Sequence, residues 1–130
     1  MTDVVELSLP VEADLLVLAR LTAATVASRA SFDVEEIEDL RLAVDELCIA
    51  LIQGQGDGRL ELRFSRDEDQ IEVLGTLRPG PGVPGGGIAG QSDDGLSQRI
   101  LDALVDEHGH KSTDGRSQAW LRKRRARQQA

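Results

Sequence analysis

Aromatic side chains are nearly absent from this chain: Phe32, Phe64 and Trp120 are all of them, and tyrosine is missing. Any core must therefore be aliphatic, built from Leu, Val, Ile and Ala. A single cysteine, Cys48, excludes an intrachain disulfide and a zinc ligand set, and it reads as a small core residue. No apolar run reaches the roughly 18 residues of a membrane helix. The N-terminus MTDVVELSLP is acidic and lacks a signal-peptide pattern. These absences predict a soluble, cytoplasmic protein with no membrane association. The charge is unevenly spread: residues 116–130 hold 6 basic and no acidic side chains, against 9 basic and 23 acidic in residues 1–115. A body with a balance of −14 argues against nucleic-acid binding, because phosphate repulsion opposes it. The basic end, about 122–130, reads as a solubilising tail beyond a last strand, able to touch an anionic partner or the chain's own acidic body.

With 130 residues, 40% of them hydrophobic, the chain predicts one domain over 1–130. Its organising stretch is Asp33 to Gln53. Ile37, Leu40, Val44, Leu47 and Leu51 recur there at steps of three and four, the period of one helix face. Asp33 and Glu36 form a capping box, Phe32 and Ile37 stand where a hydrophobic staple joins, and Gly54 stands at the C-terminal stop. Glu46 lies half a turn from Ile37, in the company of Leu42, Ala43, Ile49 and Ala50. That placement fits a helix sandwiched between layers, a helix lining a pocket, or a partly exposed Glu beside small apolar residues.

The remaining elements follow in order. Val5, Leu7 and Leu9 alternate as a half-buried strand ending at Pro10. Glu12 to Arg29 reads as a first helix, with Leu15, Leu18 and Val26 on its apolar face and Arg20 interrupting it. Two strands make a hairpin about Asp67-Glu68-Asp69, with Leu60, Leu62 and Phe64 on one face of the first and Ile71, Val73 and Leu77 on one face of the second. Residues 78–95 are rich in glycine and proline, which predicts a long, functional loop. A third helix is expected to run to Gly109, capped by Ser92 or Asp93, with Leu96, Ile100, Leu104 and Leu101 inward. Two short strands about Asp114-Gly115 close the chain. The order β-α-α-β-β-α-β-β predicts an α+β, two-layer sandwich: a mostly antiparallel sheet with three helices on one face.

The segment DLRLAVDEL on a long helix, followed by a hairpin, a glycine-rich loop and Gly95-Leu96 opening a helix, resembles the GHKL (Bergerat-type, histidine-kinase-like) ATPases. More narrowly, nearly the whole chain is similar to the bacterial anti-sigma-factor serine kinases of partner-switching systems. The resemblance implies a helix motif Glu-x-x-x-Asn whose Glu polarises the attacking nucleophile and whose Asn holds Mg²⁺ beneath ATP. The matching positions here are Glu46 and Ala50, and a methyl group supplies no oxygen to a cation that demands oxygen ligands. The family's adenine-reading Asp-x-Gly-x-Gly matches Arg78-Pro79-Gly80-Pro81-Gly82, where the acid is replaced by a donor-only guanidinium.

Gly95 and Leu96 match the motif that opens the next helix, yet Asp93 and Asp94 crowd the position where an anion would sit. The resemblance therefore implies a member with a degraded nucleotide site. No cofactor and no bound metal are expected, and the chain is expected to bind a sigma factor or an anti-anti-sigma factor as a homodimer. Arg20 matches a partner-contacting position, although it also reads as a surface arginine paired with a nearby acid. The alternative is an active kinase that uses ATP and Mg²⁺, with Glu46 as catalytic base and an anti-anti-sigma factor as substrate. A third reading, a nucleic-acid-associated regulator, rests on the basic tail alone.

Overall fold

The computed structural model describes residues 3–52, 58–80, 94–113 and 116–125. Strand β1 (Asp3–Pro10) leads through a 3-10 turn (Ala13–Leu15) into helix α1 (Leu16–Arg29) and helix α2 (Val34–Ile52). The hairpin β2 (Gly58–Asp67) and β3 (Gln70–Pro79) follows, then helix α3 (Asp94–Leu104) and strands β4 (Glu107–Thr113) and β5 (Arg116–Arg124). The strands form one antiparallel sheet in the order β1-β2-β3-β5-β4. All three helices lie on one face of it, giving the α+β two-layer sandwich expected from the element order.

The capping box on α2 forms as read. The Asp33 amide donates to Glu36 Oε1 at 2.9 Å, and the Glu36 amide donates to Asp33 Oδ1 at 2.8 Å. Ahead of it, α1 ends in a Schellman motif. The Phe32 amide donates to the Ala27 carbonyl at 3.1 Å and the Ser31 amide to the Ser28 carbonyl at 3.2 Å, with Ser31 at φ 63° in the left-handed position usually held by glycine. That single reversal folds α2 back beside α1.

The core is aliphatic around one phenylalanine of the sheet. Leu40, Val44, Leu47, Cys48 and Leu51 of α2 are buried over Leu60, Leu62 and Phe64 of β2, Ile71, Val73 and Leu77 of β3, and Leu121 of β5. Gly75 of β3 is what lets α2 approach: a Cβ there would stand 2.7 Å from Leu51 Cδ1 and 2.9 Å from Leu47 Cδ2. Burial and the negative charge of Asp45 push the Cys48 thiol up to about 12, so it stays protonated and inert.

Several expectations are corrected. The buried face of α1 is Leu16, Ala19, Ala23, Val26 and Ala27, so Leu15 is half-buried and Leu18 is exposed; the leading 3-10 turn shifts the helical register. Helix α3 ends at Leu104 rather than Gly109. The Val105 amide still reaches the Leu101 carbonyl, but the Asp106 amide turns to the Arg122 carbonyl of the sheet. Gly109 lies inside β4, where a Cβ would meet Trp120 Nε1 at 2.8 Å. Leu96 is 68% exposed rather than inward, whereas Leu101 is buried as expected and Val105, just past the helix, is buried as well. The last strands are not both short: β5 has nine residues and lies between β3 and β4. On α2, Leu42 and Ile49 are exposed, so that side of the helix is not sandwiched.

The first part of the basic end belongs to β5. Arg122 pairs with Glu72 and Glu107, and these two hydrogen bonds raise its pKa further. Lys123 donates to the Leu104 carbonyl at 2.8 Å, while the Arg124 amide donates to Asp106 Oδ2 at 2.7 Å. These cations thus serve the chain's own acidic body. The expected stops, caps and turn at Gly54, Ser92, Asp93 and Asp114-Gly115, the loop 81–93 and the tail beyond 125 lie outside the described residues.

Candidate functional site

Helix α2 carries two neighbouring acids that leave it in different directions. Asp45 turns toward α1, where Arg20 Nε lies 3.5 Å from its Oδ1. Glu46 turns toward α3, where Ser97 Oγ donates to its Oε2 at 2.8 Å. One step of 100° on the helix separates the two directions, so the same turn faces both neighbours.

On the α3 side the structure gathers part of the family's nucleotide-site positions. Glu46 and Ala50 are one turn apart on α2, and Gly95 and Leu96 precede Ser97 at the start of α3. Ala50 offers only its methyl group at the position implied for a metal-holding Asn. Among the described residues, no three His, Cys, Asp or Glu side chains cluster closely enough to hold a metal ion.

Arg78 is not brought to this place. It alternates with the buried Leu77 and projects from the opposite, helix-free face of the sheet, where its Nε donates to Glu61 Oε1 at 2.7 Å. Gly80 follows at the end of the same strand; its nitrogen lies 3.0 Å from where a Cβ on Gly58 would stand. Gly82 lies outside the described residues.

Arg20 is half-exposed on α1, and its Nε is buried without a hydrogen-bond partner. Exposed Val17 lies one turn before it at a step of three, and exposed Leu42 and Ile49 flank Asp45 at steps of three and four. The ion pair thus lies near apolar side chains that are exposed among the described residues.

Two partners of these residues were not foreseen. Ser97 meets Glu46 across 51 residues of sequence, and no local pattern announces such a contact. Asp45 as the acid for Arg20 could have been found: it lies in AVDEL, next to the residue singled out. A shallow concavity of about 340 Å³ on the helix-free sheet face is lined by Glu6, Ser8, Glu61, Arg63, Leu74 and Thr76. It lies across the sheet from Glu46 and shares no residue with the α2–α3 site.

An antiparallel five-stranded sheet backed by three helices, with an acid of the middle helix facing the Gly-Leu start of the third, defines the histidine-kinase-like, GHKL-type ATPase fold. No family model matches the chain. It is 30% identical over 129 residues to the serine-protein kinase RsbW of Bacillus velezensis, spanning 87% of this chain and 81% of that protein. The serine-protein kinase RsbW of Bacillus subtilis (strain 168) is 30% identical over 121 residues, spanning 81% of this chain and 76% of its own length. A third, from Bacillus pumilus, is 37% identical over 79 residues, 55% of this chain and 48% of that protein. The chain belongs to the RsbW family of serine-protein kinases, the anti-sigma-factor kinases that its sequence resembles.

Proposed function

We propose that this chain is an anti-sigma-factor-type regulator of transcription that acts in the cytoplasm by partner switching, holding a sigma factor or an anti-anti-sigma factor through protein–protein contact, with weak or absent ATP binding. Family membership supports the regulatory part. The observation that carries the nucleotide part is Ala50: one turn after Glu46, where Mg²⁺ requires an oxygen, there is a methyl group. Arg78 adds to it, being a donor-only group engaged with Glu61 on the far face of the sheet. The residues present do not fit a Mg-nucleotide, and Glu46 without one has no phosphoryl group to direct a nucleophile toward.

Titration calorimetry with Mg-ATP should therefore show no binding in the low micromolar range. A low-micromolar dissociation constant would sink this reading and favour the active kinase. Ala50→Asn should improve binding if the missing ligand is the cause. The companion change Arg78→Asp should not help, since it sets a second carboxylate beside Glu61.

We further propose that the regulator is a homodimer. Leu74 and Trp120 are paired side by side on the helix-free face of the sheet, only partly buried, and no helix of the described residues covers them. Light scattering at micromolar concentration should report about twice the 14.1 kDa chain mass. A strictly monomeric species would rule this out.

A further inference from the structure

The first turns of α3 are held to the rest of the fold in an unusual way. Leu96 is 68% exposed, a Cβ on Gly95 would touch nothing within 4 Å, and the first buried side chain of the helix is Leu101. Among the described residues, the polar contact that ties residues 95–101 to α2 is the one from Ser97 Oγ to Glu46 Oε2 at 2.8 Å. Its geometry is that of a nucleophile on a base: a serine hydroxyl donates its proton into a carboxylate at hydrogen-bond distance. Glu46 is the position that, by resemblance, polarises an attacking nucleophile, and the relatives are serine-protein kinases.

We infer that Ser97 is an internal occupant of the acceptor position on Glu46, a pseudosubstrate contact made by the chain with itself. This rests on the equivalence of Glu46 with the family's helix Glu and deepens the reading of a regulator without phosphoryl transfer. The contact has two consequences. It withholds the carboxylate from any hydroxyl brought by a partner, since the partner would have to displace a bond to a charged acceptor, which is stronger than a neutral one. It also makes Ser97 a positioning residue, one that fixes the N-terminal turns of α3 through Glu46 where apolar packing does not.

The test is carboxylate footprinting of the full chain. A carbodiimide activates accessible carboxylates as O-acylisoureas, which the amine of glycine ethyl ester converts to amides with release of the urea, and peptide mass spectrometry compares Glu46 with the exposed Glu35 and Glu68 as internal references. Ser97→Ala should raise labelling of Glu46 relative to those references by roughly tenfold, the scale on which loss of a hydrogen bond to a charged group shifts a population. Ser97→Thr keeps the hydroxyl and should restore protection. Should Ser97→Ala disturb the fold, seen as raised labelling of the references too, the near-isosteric weak donor in Ser97→Cys gives the same reading. Labelling of Glu46 that is unchanged in the variants, or already as fast as that of Glu35 in the parent chain, overturns the proposal. If the chain were found to phosphorylate a partner while Glu46 remained protected until that partner bound, the regulator reading would fail and the pseudosubstrate contact would stand.

Discussion

Phe64→Ala should lower the unfolding free energy by about 3–5 kcal/mol, the range for a fully buried phenylalanine truncated to alanine. Phe64 is completely buried on β2, paired across the sheet with Val5 and Val73, beneath the helical layer. The size of the effect follows from what surrounds it. The chain has only two phenylalanines, Phe32 lies at the α1–α2 junction, and Trp120 of β5 stands beside Leu74 on the other face, so no second aromatic side chain lies beside Phe64 to fill the space. The neighbours are Leu, Ile and Val in an antiparallel sheet whose backbone is fixed by hydrogen bonds on both sides of β2, so the site collapses only in part. Phe64→Leu, which keeps most of the volume, should cost roughly a third as much. Urea unfolding of the three proteins at a common m-value measures the difference. A loss below about 1 kcal/mol for the alanine variant would mean that the ring is not the keystone of this core.

The second large effect falls on binding. Arg20→Ala should weaken the complex with the native partner by roughly 1–3 kcal/mol, a factor of about five to more than a hundred. In the free chain Arg20 has little to lose. Its partner Asp45 is 3.5 Å away, both side chains are partly exposed, and such pairs contribute about 0–1 kcal/mol. The same substitution should therefore leave folding stability nearly unchanged, which separates a binding role from a structural one. Val17 lies one helical turn from Arg20, and Leu42 and Ile49 each lie one turn from Asp45, all three exposed, so a partner that buries this surface desolvates the ion pair among them. That is the arrangement in which arginine dominates an interface. Glu46→Gln should change binding little, because the amide oxygen still accepts the Ser97 hydroxyl and α3 keeps its place. Surface plasmon resonance with the cognate sigma factor decides between them. Loss with Glu46→Gln and full retention with Arg20→Ala would favour the enzyme.

Much of the fold was legible because its signals are local. The capping box, the α2 stripe and the alternation in β2 and β3 each depend on residues within a few positions of one another, and all appear as read. Where the reading failed, the deciding contact was distant. A preceding 3-10 turn moved the buried face of α1, and the pairing of Gly109 with Trp120 across a hairpin drew residues 107–109 out of α3. Gly75 carried a faint signal, an isolated glycine in a strand pattern, and its reason is the α2 side chains that press on it. Trp120 belongs to an interior strand, with Leu74 on one side and Gly109 on the other. At the candidate site, Glu46, Ala50 and Arg20 were singled out by motif positions. Ser97 was not, since a hydrogen bond between helices leaves no trace in spacing. The placement of Arg78 across the sheet from Glu46 follows from strand alternation, once the buried Leu77 is assigned to the core face.

Regulation is proposed here to proceed by binding without phosphoryl transfer. The cognate anti-anti-sigma factor, mixed with the chain and Mg-ATP and followed by intact-mass spectrometry, tests this most directly. A stable complex in which the partner gains no phosphate over the time of many binding cycles is the predicted result. Stoichiometric phosphoserine on the partner, abolished by Glu46→Gln, would contradict it.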